Sequence, residues 1–285
     1  MANGPGFPRP PGGTAGGNDA LQRAVLALNS QRPNEAERIA GDVLKGDPRH
    51  ARALHIFGCA LLMQGRAEDA VTPLESAARG RHDPEIETQL AIALHQSGRD
   101  EDALRRLKLA TKRRPPHAPA FKELGYLLVS MGRYDEAIEV LSRGLEVAPM
   151  MPQLSIQLGY AFLSRRDCAG AKGAFARALG LSPDSPDALF GMAKAHHELG
   201  ENRPAAEYFR HYLRTRPGDE GAWLSLGHCL LELGELDAGY ACFRTAARGD
   251  PRRYGNALNS LAAAARGRFW LRPSAAARFL RDSDS

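Results

Sequence analysis

The chain has 285 residues, 43% of them apolar or aromatic and 25% charged, with 38 basic against 33 acidic side chains for a formal charge of +5. That balance is ordinary for a protein folded in water, and no window approaches the ~18–20 uncharged apolar residues of a membrane-spanning helix. The opening residues hold no apolar run suited to a signal peptide, so the sequence predicts an intracellular, cytoplasmic protein.

Residues 1–16 are rich in glycine and proline, with almost nothing apolar beyond Phe7. Such a segment buries too little to offset the entropy of ordering, which predicts a disordered tail. From residue 17 a pattern of paired amphipathic helices sets in. A first, degenerate unit over residues 17–50 carries Leu21, Val25 and Leu28 as its apolar stripe and Ala24, Ala36 and Pro48 as markers. Beyond it the chain falls into rows opening at residues 51, 84, 118, 152, 186 and 220. At the eighth position of each row stand Gly58, Ala91, Gly125, Gly159, Ala193 and Gly227, and at the twentieth Ala70, Ala103, Ala137, Ala171, Ala205 and Gly239. Small residues recurring on both halves of a row let two helices joined by a short turn approach closely. Larger apolar residues form the core stripe, Leu54, Phe57, Leu61 and Leu74 in one row and Phe121, Leu124, Leu128 and Leu141 in another.

The punctuation agrees. Gly65, Gly98, Gly132, Gly200 and Gly234 follow the first apolar segment of their rows, where a helix ends on a residue at positive φ. Arg166 takes that place in the row from 152, predicting a differently shaped loop over 164–167. Pro115, Pro149, Pro183, Pro217 and Pro251, spaced by 34 residues, end the second helices, with His82 in the equivalent place two residues before Pro84. Pro119, Pro152 and Pro186 open the next helix, and Pro73 is expected to kink the second helix of its row.

After Pro251, Ala257, Leu258, Leu261 and the alanines to 265 predict a further helix, and Ser274 to Arg281 a short last one, so that residues 254–285 read as a capping helix and basic tail. Residues 241–285 carry nine arginines and three aspartates, which leaves the rest of the chain close to neutral. The alternative role for Arg266, Arg268, Trp270, Arg272, Arg278 and Arg281 is contact with RNA or an anionic membrane. A second basic cluster, Arg105, Arg106, Lys108, Lys112, Arg113 and Arg114, reads as a solvated outer face or as cations favoured at a helix C-terminus.

Trp223, Leu226, Gly227 and Leu230, followed by Gly239, Phe243 and Pro251, resemble the W-x-x-L-G-x-x-Y, A-x-x-x-F and P pattern of the tetratricopeptide repeat family. Phe121, Leu124, Gly125, Leu128, Ala137, Leu141 and Pro149 fit the same register, and the resemblance covers residues 17–253. It implies an all-α, right-handed superhelical solenoid of about seven helix-turn-helix repeats (17–50, 51–83, 84–117, 118–151, 152–185, 186–219 and 220–253) with a C-terminal capping helix. It also implies that the first helix of each repeat lines an inner wall through its second, fifth, ninth and twelfth residues. Those positions hold Arg52, His55, Cys59, Thr88, Ile92, His95, Lys122, Tyr126, Val129, Ile156, Tyr160, Phe190, Lys194, His197, Leu224 and His228. Such a mixed apolar, aromatic and weakly basic wall suits a peptide or partner-protein segment, the expected role being that of a scaffold or adaptor. The carboxylate clamp of chaperone-binding members needs paired cations and asparagines, of which only Lys122 and Lys194 are present.

Nothing in the sequence predicts catalysis, a metal or a cofactor. His196 and His197 are adjacent, as are His228 and Cys229, so on a helix each pair diverges by about 100° and forms no single ligand face. The four cysteines, Cys59, Cys168, Cys229 and Cys242, form no CxxC pair and are expected to be packed free thiols.

Overall fold

A computed structural model describes residues 15–79, 83–248, 255–257 and 259. These residues form fourteen α-helices and no strand, and the chain divides into two compact units, Met1–Leu127 and Leu128–Ser285. In the first unit, α1 (Ala15–Asn29) pairs with α2 (Pro33–Gly46), α3 (Ala51–Met63) with α4 (Ala67–Ala78), and α5 (Pro84–Gln96) with α6 (Asp100–Ala110). The helix α7 (Ala118–Ser130) crosses the boundary. In the second unit, α8 (Tyr134–Val147) packs on α9 (Pro152–Ser164), α9 pairs with α10 (Cys168–Leu181), α11 (Pro186–Glu198) with α12 (Asn202–Thr215), and α13 (Glu220–Glu232) with α14 (Leu236–Ala247). From α3 onward every odd-numbered helix begins on the residue that opens its row. Pro33, Pro84, Pro152 and Pro186 occupy the first helical position, where the missing amide hydrogen has no intrahelical partner to lose.

The turns inside the pairs share one backbone solution. Gly132 donates from N to Val129 O at 3.0 Å and Arg133 N to Leu128 O at 2.8 Å, and the same two bonds recur as Arg166 N to Leu163 O and Asp167 N to Phe162 O, both 2.8 Å. This double closure holds the penultimate residue in the left-handed region. Arg166 adopts it at φ 63° and Gln31 at φ 56°, beside glycines at 72° to 82°. The differently shaped loop expected at Arg166 is therefore not formed. The hydrogen bonds dictate the turn, and the arginine accepts the steric cost that glycine avoids.

The small residues at the eighth position make room for one bulky residue on the partner helix. A Cβ on Gly58 would stand 2.5 Å from Leu74, one on Gly159 2.6 Å from Phe175, and one on Gly227 2.9 Å from Phe243. Phe175, Phe209 and Phe243 are all fully buried. Direct backbone approach occurs as well, since a Cβ on Gly239 would lie 3.2 Å from the Gly227 carbonyl oxygen. α4 continues through Pro73 to Ala78.

His82, Pro251 and residues 1–14 of the predicted tail lie outside the described residues, whereas its last two, Ala15 and Gly16, belong to α1; most of the predicted cap also lies outside them, including Arg266, Arg268, Trp270, Arg272, Arg278 and Arg281. The helical residues 255–257 are described. Ala257 is fully buried, and Asn256 Nδ2 donates to Glu220 Oε1 at 2.9 Å.

Candidate partner-binding face

In the first unit, the α5–α7 side brings three of the expected residues together. Ile92, His95 and Tyr126 line a cleft of about 120 Å³ with Gln96 and Glu123, over a floor of Ala91, Leu107 and Leu127. His95 and Tyr126 meet edge to face with ring centroids 5.7 Å apart. Asp100 Oδ1, at 2.7 Å from His95 Nδ1, fixes the imidazole from the first residue of α6. Tyr126 is held at one edge yet 48% exposed, an amphipathic ring available to a partner. Lys122 is half-buried and paired with Glu123 at 2.7 Å.

Three other expected positions in this unit, Thr88, His55 and Cys59, turn inward. Thr88 is buried, its hydroxyl donating to Pro84 O at 2.6 Å within its own helix, so it forms no part of an open wall. His55 is largely enclosed and its Nε2 has no hydrogen-bond partner among the described residues. Burial holds its pKa below the ordinary histidine value. Cys59 is half-buried, with its thiol pushed up to about 12 by burial, and Arg52 is exposed.

In the second unit the expected residues rest on aromatics of the second helices. Tyr160 packs edge on to Phe175 at 5.2 Å, and its hydroxyl donates across the repeat boundary to Asp187 O at 2.9 Å. Phe190 meets Phe209 at 5.9 Å and Tyr212 at 5.0 Å, and the exposed Lys194 lies with Nζ 6.0 Å from the Phe190 ring centre. His228 meets Phe243 edge on at 5.3 Å, and His197 lies edge on to Phe209 at 6.5 Å. Burial lowers the pKa of both histidines, and the His197 charge lowers that of His228 further. Val129 and Leu224 are half-buried, whereas Ile156 is buried in a core cluster with Phe175 and Met192 and belongs to the interior. The supports Phe175, Phe209 and Tyr212 are what sequence reasoning passed over. The signal for Phe175 and Phe209 was the phenylalanine recurring midway along the second helix of successive rows.

Cys229 Sγ lies 3.3 Å from His197 Nδ1, the spacing of a nucleophile and its base. The thiol is fully buried, however, and burial pushes its pKa to about 12, so the contact is one of packing. Among the described residues no group of three or more His, Cys, Asp or Glu side chains is placed to hold a metal, and no helix is long and apolar enough to cross a membrane.

Helix pairs that succeed one another along the chain, closed by one turn and packed through small residues, define a helical-repeat protein. Models of the tetratricopeptide repeat match residues 21–85, 94–155, 156–220 and 199–253, and the chain belongs to the tetratricopeptide repeat family. It is 27% identical over 231 residues to Protein FlbA of Caulobacter vibrioides, covering 79% of this chain and 38% of that one. It is also 29% identical over 117 residues to the small glutamine-rich tetratricopeptide repeat-containing protein 2 of Mycosarcoma maydis, covering 41% and 31%. The chain thus spans about a third of the length of these curated relatives. Among solved structures, the type IV pilus biogenesis factor PilW aligns with a TM-score of 0.66 at 19% identity, covering 76% of this chain and 99% of that one. PilF of Pseudomonas aeruginosa aligns at 0.61 and 17%, covering 74% and 94%. These two likenesses concern the fold.

Proposed function

We propose that the protein is a non-enzymatic scaffold or adaptor that holds a segment of a partner protein against the exposed face of its first helices. The observation that carries this reading is the α5–α7 cleft, where a half-exposed Tyr126 stands beside Ile92 and a histidine anchored by Asp100. A rigid aromatic at the edge of an apolar cleft is the kind of group that dominates peptide binding, because it buries a large area at little entropic cost. The exposed cation Lys194 beside Phe190 supplies a similar element in the second unit. Family membership supports the scaffold role, since tetratricopeptide repeat proteins are generally interaction scaffolds without catalysis.

The test is affinity capture from the source cell with Tyr126→Ala and Lys194→Glu, using Tyr160→Phe as a control that removes only the bond to Asp187. The reading expects loss of specific partners with the first two variants and retention with the control. Unchanged capture of every partner by both variants contradicts it.

A further inference from the structure

The basic cluster on α6 borders a second groove, set between the second helices α4 and α6 and lined by none of the inner-wall positions. It encloses about 510 Å³. Its floor is Glu87, a carboxylate only 5% exposed and held by Arg106 Nη1 at 3.2 and 3.4 Å, so that these two charges neutralise each other. Ala78 and the half-exposed Leu109 form an apolar strip along the walls. Arg79 and Arg113 also line it, against one further acid among the described residues, Glu75. Neither arginine has an ion pair, and the same holds for Lys108, Lys112 and Arg114 on α6 and its exit, among the described residues.

We infer that this groove docks an acidic polypeptide segment carrying an apolar anchor. Charge complementarity selects the acid: two open guanidinium groups offer forked donors that match carboxylates, and the flanking lysines extend the same field. The exposed Leu109 beside Ala78 selects an apolar side chain between those carboxylates. A nucleic acid fits less well, because among the described residues the groove offers no aromatic ring for base stacking and Glu75 would face a continuous phosphate chain.

The probe is a fluorescein-labelled peptide of about 16 residues built from repeated Asp-Leu-Glu-Glu, titrated with the full chain and followed by anisotropy. Binding that weakens with salt is expected, together with a loss of about tenfold or more for Arg79→Glu combined with Arg113→Glu. Leu109→Ser should weaken binding by about threefold, while Tyr126→Ala and the remote pair Arg177→Glu with Arg203→Glu should stay within about twofold. Unchanged melting of each variant establishes that the fold is intact. The inference is overturned if the remote pair costs as much as the groove pair, if Tyr126→Ala abolishes binding, or if a uridine oligonucleotide of about 16 residues binds as tightly. It is equally overturned if the acidic peptide fails to bind at about 100 µM protein.

Discussion

Phe175 occupies the space that a side chain on Gly159 would need, with the ring 2.6 Å from where a Cβ would stand. The same ring also presses on Gly191 of α11, so one phenylalanine is wedged between glycines of two first helices. Gly159→Ala should therefore overpack the core and cost about 1–3 kcal/mol. The row from 84 solves the same problem with Ala91 and Leu107. Adding Phe175→Leu to Gly159→Ala should recover part of the loss, giving a coupling of about 1 kcal/mol in a double-mutant cycle read from urea unfolding.

Arg166 holds a left-handed conformation that costs a side-chain-bearing residue about 1–2 kcal/mol. Arg166→Gly relieves this against the greater flexibility of glycine in the unfolded chain, so a net gain of about 0.5–1 kcal/mol is expected. Gly132→Ala, in the same turn at φ 74°, should lose about as much. Calorimetric melting of the two variants should show shifts of opposite sign.

These turns also mark how far the fold was legible. The glycines at Gly65 and Gly132 advertise the left-handed position, whereas Gln31 and Arg166 adopt it with no compositional sign, because backbone hydrogen bonding decides the conformation. Helix starts at Ala51, Pro84 and Pro186 could be read from the rows, since they depend on local spacing. The candidate face was legible only in part. Thr88 and Ile156 share the spacing of Ile92 and Tyr126 yet lie in the interior, because what covers a first-helix position is set by the neighbouring elements.

Burial lowers the pKa of His55, His197 and His228 in the folded state. The unfolded chain, with histidines near 6.5, then binds protons first as pH falls, so stability is full above that value and declines below it. The melting midpoint should drop between about pH 7.5 and about pH 5.5, and replacing His197 and His228 together by asparagine should flatten the drop. A midpoint that rises on acidification would show the sign to be wrong.

The thiols of Cys59 and Cys229 are pushed up to about 12 and that of Cys242 to about 11, in each case chiefly by burial. With almost no thiolate at about pH 8, the native protein should react slowly with Ellman's reagent. In guanidinium chloride all four cysteines should react at once. Rapid native labelling of Cys229 would mean that the His197 contact activates it.

Whether the proposed first-helix face around Tyr126 receives a partner segment can be read by site-specific photo-crosslinking. Benzoylphenylalanine is placed at position 126, and for comparison at the exposed Glu139 of α8, in the source cell. A discrete protein adduct is expected from position 126 and none from position 139. No adduct at 126, or adducts of equal yield at both positions, would contradict the proposal.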